Sequence, residues 1–191
     1  MFLARRPSPQ DVDRFLRAAS ELSLSYNPIG LAKQNHDGFS VDEEDTIIGS
    51  GEAAFQRPRQ ALAGWTHFAV GWVELFPRGA AISPGTDVAV LARHVGFWSL
   101  NACRVVYSIG GPDDTEFGFA YGTLIEHVEC GEEIFKIRFQ PESGDVSYLI
   151  RAASKPRAVL AKLGYPLARS LQARFRRDST RALARAIAAG Q

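Results

Sequence analysis

The chain is poor in cysteine, with only Cys103 and Cys130 in 191 residues. A disulfide framework is therefore excluded as the source of its stability, and a reducing, cytoplasmic setting is the default expectation. It also lacks any apolar run near the roughly 20 residues that cross a bilayer. The opening "MFLARRPSPQ" has only a short apolar patch before Arg5 and Arg6, too little for a secretory leader. No phosphate loop of the GxxxxGK[ST] or GxGxxG type occurs, and "GSGEAAF" is too short a glycine signal to replace one. The GxSxG nucleophile elbow is missing as well. No cofactor is expected from these patterns.

What is present is an ordinary globular composition, 46% hydrophobic and 23% charged, in a length that suits one core. The charge is polarised. Residues 151–191 carry ten of the 22 Lys and Arg but one of the 21 acids, Asp178. That pattern fits either an anionic partner or a basic helix laid over an acidic sheet rim. Base stacking would need interleaved aromatics, and the basic stretch "RSLQARFRRDSTRALAR" offers only Phe175. Nucleic acid is therefore not an expected partner, whereas peripheral contact with an anionic surface stays open.

"SPQDVDRFLRAASEL" predicts an N-terminal helix, with Ser8 as N-cap, Pro9 in the first turn and Val12, Phe15, Leu16 and Ala19 on one face. Residues 32–44 read as a polar loop, 45–51 as a strand, and 57–72 as short helical turns. Strands are expected over 71–76, 86–94, 101–109, 116–124, 132–139 and 145–153, with turn residues between them. Their period-two alternation marks an antiparallel sheet with one buried face. Residues 157–189 predict a long helix with Leu160, Leu163, Leu167, Leu171 and Phe175 on one stripe and a break at "GYP", 164–166. The fold class is α+β: about six or seven antiparallel strands curved around a long C-terminal helix, with an extra N-terminal helix. One domain is expected, with 1–44 as an extension and 45–191 as its core.

This order resembles the helix-grip fold of the START and birch-pollen-allergen superfamily. More specifically, "YNPIG" (26–30), "GSGEAAFQRPRQALAGWTHFAVGW" (49–72), "RVVYSIG" (104–110), "FGFAYGTLIEH" (117–127), "GEEIFKIRF" (131–139) and "LGYPLARSLQARF" (163–175) resemble an uncharacterised family, domain of unknown function nineteen-ninety. The resemblance implies the fold and brings no catalytic residues. The superfamily is mostly carriers and sensors of apolar or amphipathic small molecules, with some enzymes, which is an analogy at the level of fold.

In "FGFAYGTL", Phe117, Phe119 and Tyr121 share one parity, and Gly118, Ala120 and Gly122 the other. Large rings on one side fill or line an interior; glycines on the other permit coiling or a close backbone approach. Cavity lining and solid core are equally compatible with these rings. The expected partner is a small apolar or amphipathic molecule, held by Trp72, His94, Tyr107, Phe119, Tyr121 and Tyr148, with Trp65 and His67 near the entrance. "HVECGEE" contains metal-ligating residue types but no partner motif, so no metal is expected; Gly131 suits a hairpin turn with solvated glutamates. Two other readings remain: an enzyme using His67, His94 or Glu74 as acid or base in the same cavity, and an interaction protein that docks through its basic helix.

Overall fold

The alternation between residues 71 and 153 does become strands. In the computed structural model, which describes residues 1–111, 114–157 and 165–188, they are β3 (Val73–Phe76), β4 (Asp87–Arg93), β5 (Trp98–Ile109), β6 (Glu116–Thr123), β7 (Glu129–Phe139) and β8 (Asp145–Pro156). Each pairs antiparallel with the next. An earlier strand, β2 (Ser40–Ser50), closes the other edge by pairing with β8, giving the order β2-β8-β7-β6-β5-β4-β3. The two-residue β1 (Phe2–Leu3), which has no period to read, pairs with the start of β5.

The remaining elements are α1 (Pro9–Ala19), α2 (Gln56–Ala63) and α3 (Tyr165–Ala188), with 3-10 turns at Leu31–Lys33, Glu52–Ala54 and Thr66–Phe68. Ser8 caps α1 as expected: its hydroxyl accepts from the Asp11 N–H, and the Asp11 carboxylate accepts from the Ser8 N–H. Val12 is buried against Ala89, Leu91 and Leu100 on the outer face of the sheet. The inner face is gripped by α3, α2 and the Thr66–Phe68 turn, so the fold is helix-grip α+β. Leu160, Leu163 and Gly164 of the expected stripe and break lie outside the described residues, as do the side chains of residues 165–167. Leu171, Phe175, Leu183 and Ile187 do face the core.

Two differences from the sequence reading have plain physical causes. Residues 32–44 are not all loop: β2 begins at Ser40, because its charged side chains sit at an edge where they meet arginines. Arg151 pairs with Glu43, and Arg138 with Asp45. The basic helix likewise meets the acidic rim of β2, where Arg169 and Arg176 both bind Asp42. The second difference is on β5. A bulge between Val105 and Tyr107 inverts the parity of the strand. Val105 faces inward, while Tyr107 packs on the outer face with Ala120 and Ile134.

Glycines on β6 act as their parity suggested. A Cβ on Gly118 would lie 2.1 Å from the Phe135 carbonyl oxygen, and one on Gly122 would lie 2.2 Å from the Tyr26 hydroxyl. The first lets strands β6 and β7 coil together. The second lets the N-terminal extension lie flat on the sheet.

Candidate functional site

The ladder register divides the inner face in two. At one end, Phe117, Ile137 and Tyr148 form a row across β6, β7 and β8, and Phe119, Phe135 and Ile150 form the next. These side chains are packed solid under Trp65, His67 and the later turns of α3. Phe119 lies 4.6 Å from Trp65 and 5.4 Å from Phe135, ring centre to ring centre. Each such ring contributes about 1.5–3 kcal/mol by burial.

Further along the strands the bulk disappears. The next row reads Tyr121, Glu133, Ala152 and Asp42. Beyond it, Cys103 pairs with Thr123, and Gly131 with Ser154. Small residues under a covering helix leave a cavity of about 210 Å³ between the sheet and the first half of the described helix. Phe68, Trp72, Val90, Ala92, Leu171 and Phe175 give it an apolar wall. Its polar surface comes from Asn101, Tyr121, Glu129, Glu133, Gln172 and Arg176, with His94 and His127 also facing it.

The polar groups have uneven partners. The Tyr121 hydroxyl donates to Glu133 Oε2 at 2.8 Å, and Gln172 Nε2 donates to Glu129 Oε2 at 2.6 Å. Asn101 Oδ1 is fully buried without a hydrogen-bond partner among the described residues. Burial pushes the Glu133 carboxyl up to about 7; the Tyr121 hydroxyl and Arg176 oppose the rise, and Glu129 and Asp42 add to it. Glu129 is also raised, chiefly by burial. His127 accepts the Glu129 N–H at Nδ1, 2.9 Å, and burial first, then the N-terminal ammonium, brings it down to about 4. A neutral ring with Nδ1 as acceptor carries its proton on Nε2.

Three of the sequence-selected residues, Trp72, His94 and Tyr121, line this cavity. Trp72 Nε1 donates to Asp178 at 3.0 Å, tying the wall to α3. His94 Nε2 bonds the Ser99 hydroxyl at 2.8 Å. Trp65, His67, Phe119 and Tyr148 lie in the solid half instead. Trp65 Nε1 donates to the Ala80 carbonyl at 2.8 Å, and the Tyr148 hydroxyl meets that of Ser179 at 3.1 Å. His67, expected near an entrance, is 0% exposed among rings, and neither nitrogen has a hydrogen-bond partner among the described residues. Burial alone pulls it down to about 3, so it is neutral. Tyr107 is turned away by the bulge and donates to Glu132 on the outer face, 2.8 Å. Glu74 also points outward, where Arg6 holds both its oxygens. The three acid–base candidates do not converge.

Sequence reasoning missed Glu129, Glu133, Asn101, Gln172 and Arg176. It placed the "HVECGEE" glutamates in solvent at a turn, but β7 starts at Glu129 and the turn lies before it. Gly131 sits within the strand, where a Cβ would come 2.3 Å from the Ala153 carbonyl oxygen. The signal was available: the inward parity of Phe135 and Ile137, carried two residues back, reaches Glu133. Glu132 faces the other way and is 2% exposed. It accepts from the Tyr26 and Tyr107 hydroxyls and the Gly30 and Ala32 N–H groups.

The same architecture occurs in protein TTHA0849 of Thermus thermophilus (TM-score 0.53, 12% identity, 80% of this chain and 99% of that one). It occurs also in the hypothetical protein jhp0584 of Helicobacter pylori (TM-score 0.53, 14% identity, 85% and 97%). At such identities the likeness concerns the fold alone. A UPF0548 protein of Dictyostelium discoideum is 32% identical, with the alignment covering all of this chain and 98% of the relative. The family described as Domain of unknown function (DUF1990) matches residues 25–182, and the chain belongs to that family.

Proposed function

We propose that the protein is a binding module that holds a small amphipathic molecule in the cavity between the sheet and α3. The observation that carries this reading is the coincidence of empty volume with an unsatisfied polar atom. A filled core would need neither the loss of bulk at Ala152 and Ser154 nor a buried Asn101 Oδ1 without a donor among the described residues. The apolar wall supplies burial at about 25 cal/mol per Å² of apolar surface removed from water. The polar groups supply orientation. At about 210 Å³ the space is below the roughly 300–1,000 Å³ of sites for drug-sized ligands, which points to a small molecule.

Native mass spectrometry of the gently purified protein tests this. A non-covalent adduct of low mass, lost on unfolding, is the expected result. A bare protein mass, together with no thermal shift from small cationic, neutral and anionic amphiphiles, would sink the reading.

A further inference from the structure

Among the described residues, the carboxylates around the cavity are not each matched by an ion pair. Asp42, Glu129 and Glu133 supply three carboxylates, and Arg169 and Arg176 two guanidiniums. Both guanidiniums bind Asp42: Arg169 donates to both its oxygens and also to Gln172 Oε1, and Arg176 lies 3.3 Å from Oδ1; they reach Glu129 and Glu133 only as more distant charges. Among the described residues Glu129 and Glu133 have no ion pair. Each is held through Oε2 by one neutral donor, leaving its Oε1 uncommitted. Asn101 Oδ1, buried on the same cavity, adds a further acceptor with no donor among those residues.

We propose that the ligand is a small primary amine with an apolar body, its ammonium group held by Glu133 and its body lying against Trp72, Phe68 and Phe175. This rests on the cavity reading above and names the chemistry it selects. An ammonium brings one positive charge and three N–H donors to a surface with an excess of acceptors. A carboxylate ligand would meet Glu129, Glu133 and Asn101 Oδ1, and the cation facing it, Arg176, is already engaged by Asp42. An alcohol would satisfy hydrogen bonds and leave the Glu133 carboxylate without an ion pair. Glu133 is faced by Tyr121, Cys103, Glu129, Asp42 and Arg176; as its carboxyl protonates below about pH 7, the ammonium loses its counter-charge and binding weakens.

The test is calorimetric titration with three probes that share a phenyl body: 2-phenylethylamine, 2-phenylethanol and 3-phenylpropionate. The amine should bind about tenfold or more tighter than the other two at pH 8. Glu133→Gln should abolish that preference, while Glu133→Asp, which keeps the charge, should retain most of it. Equal or tighter binding of the alcohol or the acid would overturn the amine assignment and leave the cavity reading standing. So would an amine preference that survives in Glu133→Gln. If none of the three binds at millimolar concentration, the amine assignment falls; a bare native mass spectrum would then bring down the cavity reading with it.

Discussion

Glu132 and Glu133 are neighbours on β7, and their ladder partners Ala153 and Ala152 are neighbours on β8. The two pairs face opposite sides of one sheet and have opposite surroundings. On the outer face, Glu132 is enclosed by four donors and Ala153 is packed among Leu31, Ala32, Ala120 and Ile134. On the inner face, Glu133 has one donor and Ala152 borders empty space. Identical residue types thus make a closed structural joint on one side and an open binding surface on the other. The difference lies in what covers them. The outer face is covered by the chain's own extension, whose "YNPIGLA" backbone brings N–H groups to the carboxylate. The inner face is covered by a helix that presents side chains rather than backbone N–H groups.

The largest effect should come from removing the closed joint. Glu132→Ala leaves two tyrosine hydroxyls and two backbone N–H groups without their acceptor, at a cost of about 3 kcal/mol or more. Denaturant unfolding reads the loss. Hydrogen exchange should also show residues 26–32 opening before the sheet does. A stability change within about 0.5 kcal/mol would mean that the extension is held by other contacts and that the two faces differ less than their partners suggest.

Glu133→Gln should act in the other direction. The folded carboxyl is raised to about 7 from its ordinary value of 4.5, so the folded state holds the proton more tightly than the unfolded one. The native protein is therefore stabilised by protonation, and that stability is lost as pH rises from 4.5 through 7. Glutamine has no charge to bury. At pH 8 the variant should be about 2 kcal/mol more stable than the wild type, and near pH 4 the difference should vanish. Unfolding midpoints at the two pH values measure this. A variant weaker at both would show that Glu133 is a structural residue like its neighbour.

Much of the fold was legible because it depends on local pattern. The N-cap at Ser8, six strands and the Leu171 and Phe175 part of the helix stripe each follow from spacing. The site was less legible because it depends on register. Tyr107 was misplaced by one bulge, which no periodicity count detects. Glu129 was assigned to a turn, and Glu133 to solvent beside it, because Gly131 resembles turn chemistry, whereas the small size of Gly131 serves a close approach by β8. Phe119 and Tyr121 share a strand and a parity, yet one is solid core and the other lines a cavity. Their difference arises from Phe135 and Ile150 across the ladder in one row, and Glu133 and Ala152 in the other. Such rows join residues far apart in sequence, and they exist only once the strands are paired.

The smallest effect on stability should come from Ala152, and its contrast with Ala153 distinguishes empty space from packed space. Ala153→Leu would push three extra carbons into a site where Ala153 is 0% exposed, at about 1–3 kcal/mol. At position 152 the longer side chain would extend into the cavity, so Ala152→Leu should change stability by about 1 kcal/mol or less, in either direction. It should nevertheless abolish uptake of any small molecule that the wild type retains, because its side chain takes up part of about 210 Å³ beside Glu133. Paired unfolding curves and native mass spectra of the two variants read both quantities. If Ala152→Leu costs as much as Ala153→Leu, the inner face is as full as the outer one, and the contrast between them reduces to charge alone.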